Sequence, residues 1–243
     1  MTAANDFCGT FNGLPQLVMF DLDGTLVDSV PDLAAATDAM LQELYGRTAG
    51  VDKVRLWVGN GASVLVRRAL ADVLDMCELE VEEAIHTPAL AKFLEHYREA
   101  SGQHSALYPG VKSALAGLRD AGVTLALVTN KPAEFVPHLL SDLGLDKVFA
   151  HWLGGDSLPQ KKPHPAPLWE LLHLCETPAS RALMVGDSRS DMQAAKAANI
   201  ASLGVTYGYN HGNPIADESP RWITSNLDDF FAAALSAQML SAY

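Results

Sequence analysis

Residues 17–29 read LVMFDLDGTLVDS. Four apolar residues run straight into Asp21-Leu22-Asp23-Gly24-Thr25, which sets two carboxylates two positions apart where the run ends. A continuous apolar run fits a strand buried on both faces, as in a parallel sheet covered by helices. Residues i and i+2 of a strand share one side, so Asp21 and Asp23 are expected to face the crevice beyond its C-terminal end, where open α/β sheets bind ligands. Gly24 lets the chain turn sharply. Two adjacent carboxylates suit a hard divalent cation such as Mg2+, which is typically held by one or two carboxylates and substrate oxygens. The competing reading is an Asp-Gly turn with two solvated aspartates. The coincidence of apolar run, glycine and threonine favours function.

Further apolar runs follow at 123–128 (VTLALV), 182–185 (ALMV) and 200–205, with a weaker one at 148–153 and a short last one at 222–224. Helical patterns lie between them at 113–121, at 133–143 before Gly144, at 167–175 and at 190–198. Alternation of buried runs with amphipathic helices implies an α/β fold with a Rossmann-like parallel sheet core. Residues 28–107 break the alternation. They read as helices at 31–45, 62–74 and 88–103, the last entered through His86-Thr87-Pro88. The expected organisation is an N-terminal tail over 1–15, loosely ordered, a core built from 16–27 and 108–243, and an inserted helical cap over 28–107. A unit with two close-set connections can hinge over the sheet edge as a lid. Asp28, beside Ser29 at the exit to the insert, reads as a helix-start residue.

Three other strand ends carry candidate chemistry. Thr129-Asn130-Lys131 follows VTLALV. Its hydroxyl and amides can hold a phosphoryl oxygen, or Thr129 or Asn130 can simply cap the next helix. Lys161-Lys162-Pro163 offers a lysine as a point charge for a phosphate, or a solvated basic loop. Gly186-Asp187-Ser188-Arg189-Ser190-Asp191 follows ALMV. Asp187 can bring a third acid to the crevice, whereas Asp191 can be an outer-sphere partner or the N3 residue of a capping box with Ser188. The loop 57–61 (WVGNG) either joins two helices or reaches a substrate.

Composition narrows the function. The chain has 243 residues, is 49% hydrophobic, and carries 17 basic against 29 acidic residues, a net charge of -12. That length allows a sizeable core, and the acidic balance argues against nucleic-acid or anionic-membrane partners. Cys8, Cys77 and Cys175 are scattered and odd in number, which suggests a reducing, cytoplasmic setting with inert thiols rather than a disulfide framework or zinc site. There is no apolar run of membrane-spanning length and no secretory leader pattern. HExxH, GxSxG and Walker patterns are also absent from the sequence.

In this order, the four strand-end stretches resemble the haloacid dehalogenase-like hydrolase superfamily, from about Gln16 to the C-terminal region. Within it, FDLDGTLVDSVPDL, WVGNGASVLVRRAL, GGDSLPQKKPHPAPL and GDSRSDMQAAKAAN are most similar to its bacterial phosphoglycolate phosphatase branch. The resemblance implies a Mg2+-dependent phosphomonoesterase acting on a small-molecule substrate. It implies Asp21 as the nucleophile that forms an aspartyl-phosphate, with Asp23 as acid and then base. It implies Mg2+ held by Asp21, the main-chain carbonyl of Asp23 and Asp187. Thr129 and Lys162 would bind the transferring phosphoryl group, with Asn130 adding its N–H, and Asp191 would orient Lys162 or a metal-bound water. 2-Phosphoglycolate is the first expected substrate. Alternatives are a phosphosugar, including N-acetylmuramate 6-phosphate, or phosphotransfer like that of a β-phosphoglucomutase; a third class, a dead binding module, is disfavoured by Asp21, Asp23, Lys162 and Asp187 standing together. A substrate carboxylate calls for a cationic group. Lys53, Arg55, Arg67 and Arg68 in the insert are candidates for it, though most of them read as solvated surface charges and none is singled out. A monomer or small homo-oligomer is expected.

Overall fold

The computed structural model describes residues 3–241. In chain order its elements are α1 (Ala3–Phe11), β1 (Leu17–Phe20), β2 (Val27–Asp28), α2 (Val30–Tyr45), α3 (Val51–Trp57), α4 (Ala62–Leu74), α5 (Glu83–Ala100), β3 (Ala106–Leu107), α6 (Val111–Asp120), β4 (Thr124–Val128), α7 (Val136–Asp142), β5 (His151–Leu153), α8 (Ala166–Leu174), β6 (Ala182–Gly186), α9 (Arg189–Ala197), β7 (Ala201–Val205), β8 (Trp222–Thr224) and α10 (Leu227–Ser241). Six strands form one parallel sheet in the order β5-β4-β1-β6-β7-β8. The fold is therefore the α/β, Rossmann-like one expected.

Register explains why the sequence motifs converge. Phe20 of β1 stands opposite Leu127 of β4 and Val185 of β6. Asp21, Thr129 and Asp187 thus leave three neighbouring strands at one edge. From β1 the chain builds outward to β4 and β5, then returns to β6 on the other side, so this edge is the topological switch point. β1 is buried on both faces. Val18 and Phe20 pack into a cluster with α1, α6, α7 and α10, while Leu17 and Met19 pack with α8 and α9.

Between the short antiparallel pair β2 and β3 lie the four helices α2–α5, with an apolar core of their own. Among the described residues, Phe135 and Tyr209 are the buried hydrophobics that enter that core from outside. Asp32, fully buried, ties the two connections together. Its carboxylate accepts from the backbone N–H of Gly102, His104 and Ser105 and from the Ser105 hydroxyl.

Three sequence expectations are corrected. The tail is not loosely ordered over its described part: Phe7, Cys8 and Phe11 give α1 an apolar face that buries against α10 and β8. Phe7 meets Trp222 at 5.0 Å and Phe230 at 5.2 Å between ring centroids, and Asp6 accepts from the Trp222 indole at 2.9 Å. Residues 1–2 of that expected tail lie outside the described residues. The last helix of the insert begins at Glu83, not at Pro88, which sits inside it. His86, Ala89, Phe93 and Tyr97 are buried along α5, and this apolar face outweighs the roughly 3 kcal/mol that an interior proline costs. Asp28 lies on β2 rather than at a helix start, and accepts from the Tyr209 hydroxyl at 2.8 Å.

The docking of α1 carries a prediction. Phe7→Ala is expected to cost about 3–4 kcal/mol and lower the melting temperature by roughly 10 °C, whereas a shift under about 2 °C would mean that α1 is undocked in solution. No helix among the described residues is long and apolar enough to cross a membrane.

Candidate active site

The turn after β1 is shaped around Asp187. Gly24 has φ +90°, and a Cβ there would lie 2.4 Å from the Asp187 carboxylate. Gly208 approaches from the other side, where a Cβ would lie 2.1 Å from that of Asp187. The carboxylate accepts from the Thr25 hydroxyl at 3.1 Å and from the Tyr209 N–H at 2.7 Å. Thr25 and Tyr209 had no role in the sequence reading.

Asp21, Asp187 and Asp191 form a buried group whose carboxylate oxygens lie within 4.8 Å of one another. Lys162, with a side chain 1% exposed, reaches Asp21 at 2.8 Å, Asp191 at 2.6 Å and the Val128 carbonyl at 2.6 Å. Asp191 also accepts from the backbone and hydroxyl of Ser188, so it serves at once as the capping-box residue of α9 and as a partner of Lys162.

Electrostatics follow from this crowding. Burial, then the charge of Asp191, pushes the Asp21 carboxyl well above the usual carboxylate range. The same two causes push Asp187 up to about 7. Burial opposes the charge on Lys162, but Asp191 and Asp21 outweigh it and raise the ammonium above a free lysine. Three carboxylates crowd a single lysine here, and the oxygen-only donor set suits a hard divalent cation, which would favour their charged forms.

The Asp23 carboxylate does not enter that group. It pairs instead with Lys131 at 3.0 Å. Lys131 Nζ also donates to the Tyr97 hydroxyl of α5 at 2.5 Å. In the sequence Lys131 is only the residue after Thr129-Asn130, with no pattern that assigns it a function. Thr129 is buried, and its hydroxyl accepts from the Lys131 N–H at 3.1 Å. The Asn130 side chain donates to the carbonyls of Gly59 and Lys162.

The WVGNG loop reaches this edge. Asn60 donates to the Ser190 hydroxyl at 3.1 Å, and Lys161 donates to the Asn60 carbonyl at 2.8 Å. Gly61, at φ +88°, is needed here because a Cβ would lie 2.8 Å from the Asn130 carbonyl oxygen. Together the loop, α2, α4 and α5 close a cavity of about 30 Å³ over Asp21, Asp23 and Thr129, with a wall of Leu33, Val58, Leu65 and Phe93.

The four basic residues that are candidates for meeting a substrate carboxylate are engaged elsewhere. Lys53 pairs with Asp72, and Arg55 with Asp28 across the Tyr209 ring. Arg67 binds the Val81 carbonyl and Glu83, and Arg68 the Trp57 carbonyl and Glu78. None of the four lines the cavity.

A buried group of carboxylates, a buried lysine and a helical unit over them stand together at the switch point of the sheet, and the profile of the haloacid dehalogenase-like hydrolases matches residues 18–205. The chain belongs to that family. It is 53% identical over 224 residues to a phosphoglycolate phosphatase of Pseudomonas syringae pv. tomato, covering 92% of this chain and 81% of the relative. It is 49% identical over 234 residues to phosphoglycolate phosphatase 1 of Pseudomonas aeruginosa, covering 96% and 84%. The crystal structure of a predicted phosphoglycolate phosphatase from Haemophilus somnus superposes with a TM-score of 0.83 at 40% identity, over 89% of this chain and 96% of the other.

Proposed function

We propose that this chain is a Mg2+-dependent phosphatase that converts 2-phosphoglycolate to glycolate and phosphate. The observation that carries the reading is the placement of Asp21 beside Lys162 under a small, largely apolar roof, together with the relatives' names. Asp21 attacks phosphorus and becomes an aspartyl-phosphate; a carboxylate needs no base to activate it. Lys162 and Thr129 hold the equatorial oxygens as negative charge redistributes, and the Asn130 N–H adds a further donor. Asp23 protonates the leaving alkoxide, then takes a proton from the water that cleaves the intermediate. Mg2+ bound by Asp21, the Asp23 carbonyl and Asp187 would neutralise charge between nucleophile and phosphate. Asp191 keeps Lys162 aimed.

The helical unit of α2–α5 acts as the cap. Support comes from the cavity: Leu33, Val58, Leu65 and Phe93 of that unit form its wall over Asp21, Asp23 and Thr129, so the unit covers the acids a phosphate ester must reach. The apolar wall favours a short leaving group over a hydroxyl-rich sugar, whose polar groups would lose water without gaining partners. The setting is proposed to be the cytoplasm, supported by three unpaired cysteines.

A panel of phosphoglycolate, hexose phosphates and N-acetylmuramate 6-phosphate, compared by kcat/KM and phosphate release, tests the substrate. Isomerisation of a hexose phosphate without phosphate release would overturn hydrolysis. The metal site has its own test. Asp187, with its pKa raised to about 7, holds a proton that the unfolded chain releases near pH 4, so its contribution to stability is complete below about pH 4 and is lost as pH rises through about 7. A bound cation offsets the resulting charge. The gain in melting temperature on adding Mg2+ is therefore expected to be larger at about pH 8 than at about pH 5. A gain independent of pH would remove Asp187 from the ligands.

A further inference from the structure

We infer that Lys131, assisted by the Tyr97 hydroxyl, is the group that recognises the carboxylate of the substrate. The inference rests on the proposed phosphatase reading and deepens it. Among the described residues, the charged side chains that line the cavity are two acids, Asp21 and Asp23, and one cation, Lys131. Lys162 lies outside that lining, bound to Asp21 and Asp191 on the phosphoryl side. A substrate with a carboxylate on its leaving group therefore meets one positive charge, and it comes from the sheet edge rather than from the helical unit.

Its position matches the chemistry. Lys131 Nζ is 3.0 Å from the carboxylate of Asp23, which serves the bridging oxygen of the ester. In phosphoglycolate the carboxylate is attached one carbon beyond that oxygen. A cation hydrogen-bonded to the proton donor is thus within reach of the carboxylate in the same pose. An ammonium group has three donors. Asp23 and Tyr97 take two of those on Lys131, and the third has no partner among the described residues although the side chain is 1% exposed. Tyr97 fixes the geometry from the opposite side. Its ring stacks on Phe93 at 5.5 Å and packs on Phe135 at 4.6 Å, with Lys131 Nζ 4.8 Å from the ring centroid. The Lys131 main chain is held by the Thr129 hydroxyl and by the Gly155 N–H. Because Tyr97 belongs to the helical unit, the recognition pair is complete only with that unit closed.

The alternative is that Lys131 is merely the counter-ion of Asp23. Lys131→Met removes the charge and keeps the length of the stem, so it separates the two. The probes are 2-phosphoglycolate and ethyl phosphate, which carries a methyl group in place of the carboxylate. Both rates should fall in the variant, since Asp23 loses its partner. The kcat/KM for phosphoglycolate should fall a further ~10- to 100-fold, mostly through KM, as expected for a lost hydrogen bond to a charged group. Equal losses on the two esters, or a wild-type preference for phosphoglycolate that survives the substitution, would overturn the inference and leave the proposed function standing. A wild-type enzyme with no preference for phosphoglycolate would instead overturn the proposed substrate. Should Lys131→Met fail to fold by circular dichroism, Tyr97→Phe keeps the aromatic stack and removes only the hydroxyl. A larger loss on phosphoglycolate than on ethyl phosphate supports the pair, and equal losses overturn it.

Discussion

Asp21→Asn is expected to abolish turnover of every phosphomonoester, by at least about 10⁴-fold in kcat, while the protein stays folded. The amide keeps the size and shape of the carboxylate but has no anionic oxygen to attack phosphorus. Stability should hold or rise. Burial and Asp191 already push the Asp21 carboxyl upward, so a neutral group relieves a crowded site, and Lys162 keeps Asp191 at 2.6 Å. Phosphate release and the melting temperature, measured on one preparation, check both halves. Full Mg2+-dependent activity in the variant would remove Asp21 as nucleophile, and a collapse of the fold would contradict the electrostatic account.

Lys162→Met is the converse case and should hurt both properties. Lys162 is the cation that binds Asp21 and Asp191, and it also donates to the Val128 carbonyl. Deleting one partner of a buried ion pair leaves charge without compensation and costs about 3–5 kcal/mol, or roughly 10 °C in melting temperature for a chain of this size. Activity should fall by about 10²- to 10³-fold, as for other preorganised donors to a developing anion. The two effects respond differently to metal: Mg2+ should recover part of the stability by restoring positive charge near Asp21, but little of the rate, because the phosphoryl oxygens still lack their lysine. A variant that melts within about 2 °C of the wild type without metal would show that the carboxyl group is already neutral there.

Much of the site was legible in the chain because strand ends announce themselves. Each motif follows an apolar run, and a parallel sheet brings the C-terminal ends of such runs to one edge. Asp21, Thr129 and Asp187 could be placed together on that ground alone, and Ser188 with Asp191 by the spacing of a capping box. Lys162 was harder. It sits on a loop after β5, and only the fold shows that its ammonium is buried among carboxylates rather than solvated. The order of α1 was missed for a different reason: Phe7, Cys8 and Phe11 make too short a pattern to identify a docked helix until α10 and Trp222 supply the surface they bury against.

The sequence by itself determined the sheet, the edge that carries chemistry and the acids that stand on it, because these depend on local hydrophobic runs and on turns of fixed chemistry. Tertiary structure alone decided which cation faces which acid. Lys53, Arg55, Arg67 and Arg68 looked as available as Lys131 in one dimension, yet each is engaged away from the cavity, while Lys131 and Tyr97 meet across a gap of 34 residues. A charge acts over a few ångströms, and separation along the chain does not report distance once helices have folded back over a sheet.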